Sequence, residues 1–246
     1  MDLTKTLTIY GRKPVLEALQ DDKLSPSRLH CADSNKPGGI VGEIEKLARN
    51  RGVDIQLHAR HALSRISKNG KQDQGVALDL FCPEFDSIDN FLSSDRHFTR
   101  HFRAILLDGV TNPQNVGMII RSCCAAGIDA IFYPKRSVAA LGPLVIKGSA
   151  GTLFTAPIIQ CEDALQTAQT LKDHGFDLAV LDSHATTSLF DFKPTMPTLF
   201  VLGGETEGVT AAIKNAANLS LRIPMSNDVE SLNVAVTAAL VAFYAS

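Results

Sequence analysis

Residues 104–121 read AILLDGVTNPQNVGMIIR, a strand–loop–helix pattern that indicates an α/β fold. It joins a continuous apolar strand, Ala104 to Leu107, to an amphipathic helix through a polar loop. Asn115 stands where the N-cap of that helix is expected. The apolar positions of the helix keep helical spacing: Val116, Ile119, Ile120 and Cys123. A fully apolar strand that leads directly into a helix is typical of a buried parallel sheet.

The same pattern recurs along the rest of the chain. Short apolar runs cover residues 130–133, 178–181, 199–202 and 219–223, separated by helical or Gly-rich stretches. An Ala-rich helix is predicted over residues 231–244, apolar around most of its circumference, as expected for a helix buried against a partner subunit. The pattern predicts an α/β domain with a mostly parallel sheet over residues 104–246.

The first part of the chain alternates shorter helices and strands. Helices are predicted over residues 14–19, 41–51 and 59–66, and strands near Leu29 and over 53–57 and 75–81. This alternation predicts a small α/β domain over residues 1–84. Residues 85–103 show no clean period, so we interpret them as a linker.

The charge distribution indicates that a polyanionic partner would bind to the first part of the chain. The net charge is −2 over 246 residues, but residues 1–103 carry 16 Lys and Arg against 14 Asp and Glu, whereas residues 104–246 carry 8 against 12. The run Arg96–Arg103 combines basic and aromatic side chains, and this combination is what contacts to phosphates and nucleobases require. A second basic stretch contains Arg60, Arg65, Lys68 and Lys71. A solvated surface is the alternative explanation of both stretches.

The sequence predicts a cytoplasmic protein with no membrane segment, no disulfide framework and no metal site. The start of the chain has no apolar run as long as a signal peptide core, and nowhere do about 18 apolar residues run together, as a membrane span would need. The five cysteines lack CxxC spacing and are expected to be buried, reduced thiols: Cys31, Cys82, Cys123, Cys124 and Cys161. His58 and His61 are three residues apart, but no third ligand accompanies them.

Three polar loops, each after an apolar strand, carry the candidate site. They are DGVTNPQNVGMIIR (108–121), LGGETEGV (202–209) and RIPMSNDVESLNVAV (222–236). Because ligands of open α/β sheets bind beyond the carboxyl ends of the strands, the loops are expected to converge. The second loop contains Glu205 and Glu207 and lacks a GxGxxG pattern, so a phosphate-bearing cofactor is disfavoured there. A cofactor with an adenosine face and a cationic sulfonium is compatible with these acids. A Gly-rich turn with solvated acids explains this loop equally well when it is taken alone.

Other polar residues of these loops also have structural alternatives. Arg121 can be a surface charge on its helix. Ser231 is explained by capping at the start of the last helix. Asn233, predicted just inside that helix, is less easily explained by capping and indicates a site.

Taken together, the three loops resemble the motifs of the SpoU-type tRNA and rRNA ribose 2′-O-methyltransferases of the SPOUT superfamily. NPQNVGMIIRSCCAAGID resembles the first motif, LGGETEGV the second and IPMSNDVESLNVAVTAAL the third. YGRKPVLEAL and QGVAL, in the first part of the chain, resemble the L30e-like substrate-binding domain of the bacterial 23S rRNA guanosine methyltransferases. The resemblance covers nearly the whole chain.

This resemblance implies a SPOUT domain with a carboxyl-terminal trefoil knot, an exception to the usual unknotted topology, preceded by the L30e-like domain. It implies S-adenosylmethionine as cofactor, RNA as partner with rRNA ahead of tRNA, and a homodimer formed by the carboxyl-terminal domain with the active site near the subunit interface. The catalytic positions it implies are Asn115, Arg121, Glu205, Ser231 and Asn233. Gly203, Ile223 and Leu232 match positions that hold the cofactor, largely through backbone atoms.

Two segments depart from the family pattern and leave substrate choice open. Where many relatives have Gly after IPM, this chain has Ser226–Glu230, which adds Asp228 and Glu230. Where several relatives have Glu shortly after SAG, this chain has Gly151–Phe154.

The expected reaction is transfer of a methyl group from S-adenosylmethionine to a ribose 2′-hydroxyl of RNA. Arginine has a pKa above about 12, so Arg121 is expected to orient substrate and stabilise charge rather than act as a base. Asn115, Ser231 and Asn233 would position groups, and Glu205 would hold Arg121 or the local loops. The alternatives are a tRNA ribose methyltransferase and a non-catalytic RNA-binding or ribosome-assembly factor. A nucleotide-dependent oxidoreductase would need a Gly-rich turn that GVTNPQN does not provide.

Overall fold

The computed structural model describes residues 6–22, 24–81, 85–94, 97–227 and 229–244 and divides into two compact units. The first unit comprises Met1–Glu84 and Leu141–Lys147, and the second comprises Phe85–Ala140 and Gly148–Ser246. Both units are α/β, which confirms the predicted fold class. The trefoil knot stays a prediction. Within these ranges, no helix combines the length and the apolar character needed to cross a membrane.

The first unit is built on a mixed four-stranded sheet. Its elements are β1 (Thr6–Tyr10), α1 (Arg12–Gln20), β2 (Pro26–Ala32), α2 (Gly39–Asn50), β3 (Asp54–His58), α3 (Arg60–Ser67) and β4 (Val76–Phe81). The sheet order is β1-β4-β2-β3, with β4 antiparallel to both neighbours and β2 parallel to β3. Every predicted helix and strand of this part is present. Strand β1 is additional, and only Ile9 of it is buried, so its sequence carries little apolar signal.

The second unit is built on a parallel sheet of eight described strands. They are β5 (Asp86–Ser87), β6 (Arg103–Asp108), β7 (Ala130–Pro134), β8 (Ile158–Cys161), β9 (Asp177–Leu181), β10 (Thr187–Ser188), β11 (Thr198–Gly203) and β12 (Leu219–Arg222). The order is β10-β12-β9-β11-β6-β7-β8-β5, and all neighbouring pairs run parallel. The five predicted apolar runs correspond to β6, β7, β9, β11 and β12.

Helices follow most of these strands. They are α4 (Ile88–Ser93), α5 (Pro113–Ala125), α6 (Pro143–Gly148), α7 (Ala164–Asp173), α8 (Ala211–Ala216) and α9 (Val234–Phe243). Short 3₁₀ turns cover Thr152–Phe154 and Leu189–Asp191. Residues 141–147, expected in the carboxyl-terminal domain, instead group with the first unit.

Residues 85–103 form part of the second unit, so their interpretation as a linker is wrong where the structure describes them. Strand β5 pairs with β8, and the Ser87 side chain caps α4 by accepting a hydrogen bond from the Asn90 N–H. Phe91 is fully buried, with its ring centroid 5.2 Å from that of Phe98 and 5.2 Å from that of Phe132. Strand β5 has two residues and helix α4 has six, so neither is long enough to leave a clear hydrophobic period in the sequence.

The aromatic rings of the run Arg96–Arg103 pack in the core of this unit. Phe98 and Phe102 are partly buried against the core cluster, and both make edge contacts with Phe176 at centroid distances of 4.9 and 5.7 Å. These rings are therefore not free to stack on nucleobases, and that part of the RNA-contact interpretation is wrong. Arg96 lies outside the described residues.

Arg103 joins the ends of two helices that pack against each other, α5 and α9. Its guanidinium Nη1 donates to the carbonyl of Ala242 at 2.7 Å, and Nη2 donates to the carbonyl of Ala126 at 3.1 Å. The last carbonyls of a helix lack partners within the helix, and a cation is favoured beside them. Arg103 therefore has a structural role.

We predict that Arg103→Ala lowers the free energy of unfolding by about 2 kcal/mol, because two charge-assisted hydrogen bonds are lost. Urea unfolding followed by circular dichroism measures the change. Arg100→Ala is the matched control, since Arg100 is exposed and its side chain contacts only His101 among the described residues. Equal stability of the two variants would contradict the structural role of Arg103.

Candidate functional site

The three polar loops leave from one edge of the parallel sheet. Strand β6 lies beside β11, and β9 lies between β11 and β12. Because these strands are parallel, the loops that follow them start at the same edge, where ligands of α/β sheets bind. The loops after β6, β11 and β12 are therefore neighbours, together with a fourth loop, after β9.

The loops after β6 and β11 approach each other backbone to backbone. A Cβ atom added to Gly204 would lie 2.3 Å from the carbonyl oxygen of Gly109, and one on Gly203 would lie 2.1 Å from the carbonyl carbon of Gly208. Only glycine fits both positions. The carboxylate of Asp108 fixes the same junction, since its Oδ2 accepts a hydrogen bond from the Thr210 N–H at 2.7 Å.

Helix α5 begins earlier than predicted. Asn112 is its N-cap, with a side chain that accepts a hydrogen bond from the Gln114 N–H at 2.9 Å, and Pro113 follows. Proline suits the first helical position because the N–H that it lacks has no partner within the helix. The prediction of Asn115 as N-cap is therefore wrong, and its side chain is available for another role.

Asn115, Glu205 and Asn233 form the centre of the site. Asn115 is buried, and its Nδ2 donates to Glu205 Oε1 at 2.5 Å. Its Oδ1 accepts a hydrogen bond from Asn233 Nδ2 at 3.2 Å. Asn233 is also the N-cap of α9, since its Oδ1 accepts from the Ala235 N–H at 2.8 Å. The assignment of this cap to Ser231 is wrong, and one buried amide joins all three loops.

A cavity of about 1240 Å³ lies at this edge of the sheet. Six of the predicted site residues line it: Gly203, Glu205, Ile223, Ser231, Leu232 and Asn233. Apolar side chains contribute much of the remaining wall, among them Val201, Leu202, Met225 and Val234. Four acidic residues also line it, Asp182, Glu205, Glu207 and Glu230, against one lysine, Lys214. The cavity therefore suits a ligand with both an apolar surface and positive charge.

Sequence reasoning missed the loop after β9, which contributes Asp182, Ser183 and His184 to the cavity wall. Asp182 Oδ1 accepts a hydrogen bond from the His184 N–H at 2.9 Å, and this bond is the main reason why the pKa of Asp182 lies below its usual value. The loop has no recognisable motif. It could still have been found, because β9 was predicted and its carboxyl end shares the edge with the other three loops.

Arg121 lies apart from this cavity. It is exposed on α5 and has no hydrogen-bond or ion-pair partner among the described residues. Six residues separate it from Asn115, which corresponds to roughly 9 Å along the helix axis and about 120° around it. Glu205 is hydrogen-bonded to Asn115 and not to Arg121, so within one chain it holds the loops.

The two departures from the family pattern differ in position. Within Gly151–Phe154, Leu153 is buried in a 3₁₀ turn that packs beside α5, and this segment does not line the cavity. Glu230 of the other segment does line it. Asp228 lies outside the described residues.

The remaining candidate chemical groups have structural surroundings. Burial raises the pKa of Cys31 to about 11, of Cys123 to about 12 and of Cys161 to about 11, so these thiols are protonated. Cys82 lies outside the described residues. His58 Nε2 is 2.9 Å from His30 Nδ1, while His61 is exposed on α3. Across the described part of the chain, no three His, Cys, Asp or Glu side chains form a group that could hold a metal ion.

Two family models match the chain, and together they cover most of it. The model of the SpoU rRNA Methylase family matches residues 103–243. The model described as RNA 2′-O ribose methyltransferase substrate binding matches residues 8–85.

Curated relatives and solved structures agree with these matches. A putative TrmH family tRNA/rRNA methyltransferase of Staphylococcus epidermidis is 30% identical over 96% of this chain and 94% of its own length. An uncharacterized tRNA/rRNA methyltransferase of Mycolicibacterium smegmatis is 29% identical over 96% of this chain and 75% of its own.

The solved structures share the fold over almost the entire chain. The SpoU methyltransferase AviRb from Streptomyces viridochromogenes, in complex with AdoMet, superposes with a TM-score of 0.74 at 23% identity, covering 98% of this chain and 89% of that protein. An AdoMet-bound rRNA methyltransferase from Sinorhizobium meliloti superposes with a TM-score of 0.70 at 20% identity, covering 99% and 88%. The chain therefore belongs to the SpoU rRNA methylase family, with the methylase domain behind an RNA substrate-binding domain.

Proposed function

We propose that this chain is an S-adenosylmethionine-dependent enzyme that methylates a ribose 2′-hydroxyl of RNA, with 23S rRNA ahead of tRNA as its substrate. The observation that carries the proposal is the hydrogen-bonded junction of Asn115, Glu205 and Asn233, the last two of which line the large cavity. A buried amide that is satisfied at both ends holds the loops in one arrangement. Such a preorganised polar site is what electrostatic catalysis requires.

The cavity fits S-adenosylmethionine by its chemistry. The apolar side chains of Val201, Ile223 and Leu232 suit the faces of an adenine ring, and Gly203 lines the same cavity. The carboxylates at the cavity suit the positive charges of a sulfonium and an ammonium group. S-adenosylmethionine supplies an electrophilic methyl group when bound.

We assign Arg121 to the site of a partner subunit in a homodimer. Its helix α5 and the neighbouring α9 leave large apolar side chains exposed: Met118 is 41% exposed, Val236 49% and Phe243 49%. Burying such side chains favours association of a second copy. Met118 is three residues before Arg121 and lies on the same side of α5, so association through this face brings Arg121 to the second subunit.

In this arrangement, Arg121 orients the ribose and its neighbouring phosphate. Its planar guanidinium can contact a hydroxyl and a phosphate oxygen together, and its positive charge stabilises the oxygen as the hydroxyl loses its proton. Asn115 and Glu205 fix the loops, and Ser231, exposed at the cavity wall, is available to contact substrate.

The choice of rRNA rests on the resemblance of the first part of the chain to the L30e-like domain of the 23S rRNA guanosine methyltransferases, and residues 8–85 match the RNA substrate-binding model. Mass-spectrometric mapping of ribose methylation in RNA from cells with and without this protein separates rRNA from tRNA. Methyl transfer to bulk RNA by the purified protein separates an enzyme from a non-catalytic RNA-binding factor on the same fold.

We predict that the purified chain binds S-adenosylmethionine or its demethylated product, measured by titration calorimetry. Gly204→Ala should weaken this binding at least about tenfold, or about 1.4 kcal/mol, because the added Cβ displaces one of two packed loops. Gly42→Ala is the control, since nothing lies within 4 Å of a Cβ there. Absence of binding by the parent protein at millimolar ligand would contradict the enzyme proposal.

A further prediction concerns Arg121. Arg121→Ala should reduce single-turnover methyl transfer at least about a hundredfold, the scale of one lost preorganised electrostatic contact. Arg121→Lys should restore little, because a point charge cannot reproduce the planar fork. The melting temperature and cofactor affinity should change little, because Arg121 is exposed and unpaired in the described chain.

Mixed dimers test whether Arg121 acts on the partner's site. Arg121→Ala and Glu205→Ala chains, co-expressed with different tags and purified as a heterodimer, should regain activity up to about half that of the parent, because alanine removes the acceptor for Asn115 Nδ2. One of the two sites then combines an intact arginine with an intact glutamate from opposite chains. A heterodimer as inactive as both homodimers would show that the two residues act within one chain.

A further inference from the structure

A buried carboxylate fixes the loop of residues 68–75 in the first unit. Asp73 is fully buried, and its Oδ1 accepts a hydrogen bond from the Gly75 N–H at 3.0 Å and lies 2.9 Å from Arg60 Nη2. Its Oδ2 accepts from the Ser67 hydroxyl at 2.9 Å. The negative charge of Asp73 is therefore neutralised internally, and the loop has little freedom to move.

Two other segments of the first unit meet this loop. At the start of α1, Arg12 Nε donates to the Gln74 carbonyl at 3.1 Å, and the Arg12 N–H donates to Gln74 Oε1 at 3.0 Å. After β2, Asn35 Nδ2 donates to the Gly75 carbonyl at 2.8 Å. A Cβ on Gly75 would lie 2.2 Å from Asn35 Oδ1, so these segments pack as closely as glycine allows.

Cations concentrate on these three segments and on the adjoining α3. We name this surface the basic end: Arg12, Lys13, Lys36, Arg65, Lys68 and Lys71. Acids do little to offset it. The carboxylate of Glu17 is 3.9 Å from Lys13 Nζ, and Asp33 is the exposed acid of the loop after β2. Lys68 and Lys71 are exposed and have no hydrogen-bond or ion-pair partner among the described residues.

We infer that the basic end binds the phosphate backbone of the substrate RNA. The inference rests on the proposed function and adds to it the surface that grips the RNA. The loop is already ordered, so little backbone freedom is lost when its lysines meet phosphates, and each contact releases counterions. The chain as a whole carries a net charge of −2, so a local excess of cations is the feature that a polyanion would select.

The other basic run is less suited to this role. Phe98 and Phe102 are packed in the core of the second unit, and the Arg103 guanidinium is hydrogen-bonded to helix carbonyls. Among the described cations of the basic end, Arg12 is hydrogen-bonded to Gln74, and Lys13 makes a long contact with Glu17. Of the two basic stretches in the sequence, the basic end is the one with free cations in a defined arrangement.

Filter binding of the full chain to an unmodified transcript of 23S rRNA, over a series of potassium chloride concentrations, tests the inference. The double variant Lys68→Gln/Lys71→Gln should bind at least about tenfold more weakly at low salt, and the slope of log affinity against log salt should fall by about two. Cofactor affinity and melting temperature should match the parent, because both side chains are exposed and unpaired within the described chain.

The control is Lys46→Gln/Lys193→Gln, which removes the same charge from two exposed lysines outside the basic end. It should change the affinity less than about threefold, because neither lysine belongs to the set that we propose to contact phosphates. If the parent binds the transcript and the two double variants bind it equally, the basic end is not the RNA surface and the proposed function still stands. A parent that neither binds the transcript nor methylates it overturns the proposed function and this inference together.

Discussion

The carboxamide of Asn115 is the interaction on which the arrangement of the second unit's polar edge depends. It is buried, donates to Glu205 on one side and accepts from Asn233 on the other. An aspartate at this position would place two carboxylates in contact, and an apolar residue would remove the hydrogen bonds to Glu205 Oε1 and Asn233 Nδ2. A hydrogen bond of this kind contributes about 0.5–1.5 kcal/mol, and one to a charged group about 1.5–3 kcal/mol. A carboxamide carries a donor and an acceptor on one short side chain and can therefore join α5, the loop after β11 and the start of α9.

Two further constraints make that junction possible. The contact between Gly109 and Gly204 brings the loops after β6 and β11 close enough for Glu205 to reach Asn115. Arg103 holds the far ends of α5 and α9 through their last carbonyls. The two helices are thus tied at both ends, by side-chain amides near the cavity and by a guanidinium at the opposite end. This explains how a helix pair with exposed apolar side chains can keep a fixed surface.

Much of this could be predicted from the sequence, and the failures have physical reasons. Strands β6, β7, β9, β11 and β12 were predictable because strands buried on both faces are continuously apolar. Strands β5 and β10 have two residues each and leave no periodic signal. The N-cap of α5 was ambiguous because asparagines flank Pro113–Gln114, and only the tertiary structure shows which one turns inward.

The candidate site was likewise predicted in part. The rule that ligands bind beyond strand ends identified three loops correctly and would have identified the loop after β9 had it been applied to every strand. Glu205 was expected to hold either Arg121 or the local loops. Within one chain it holds the loops through Asn115, because the six positions from Asn115 to Arg121 turn the side chain by about 120° around the helix. Phenylalanines next to basic residues look the same in sequence whether they stack on nucleobases or fill a core.

The aromatic cluster around Phe91 also determines where this chain can be recombined with others. The SpoU methylase family model begins at residue 103, whereas the compact second unit begins at Phe85. A chimaera joined at residue 103 would discard Phe91, Phe98 and Phe102 and leave the rings of Phe132 and Phe176 without their packing partners. The second unit therefore begins before the region that the family model matches, and a junction before Phe85 keeps its aromatic cluster intact.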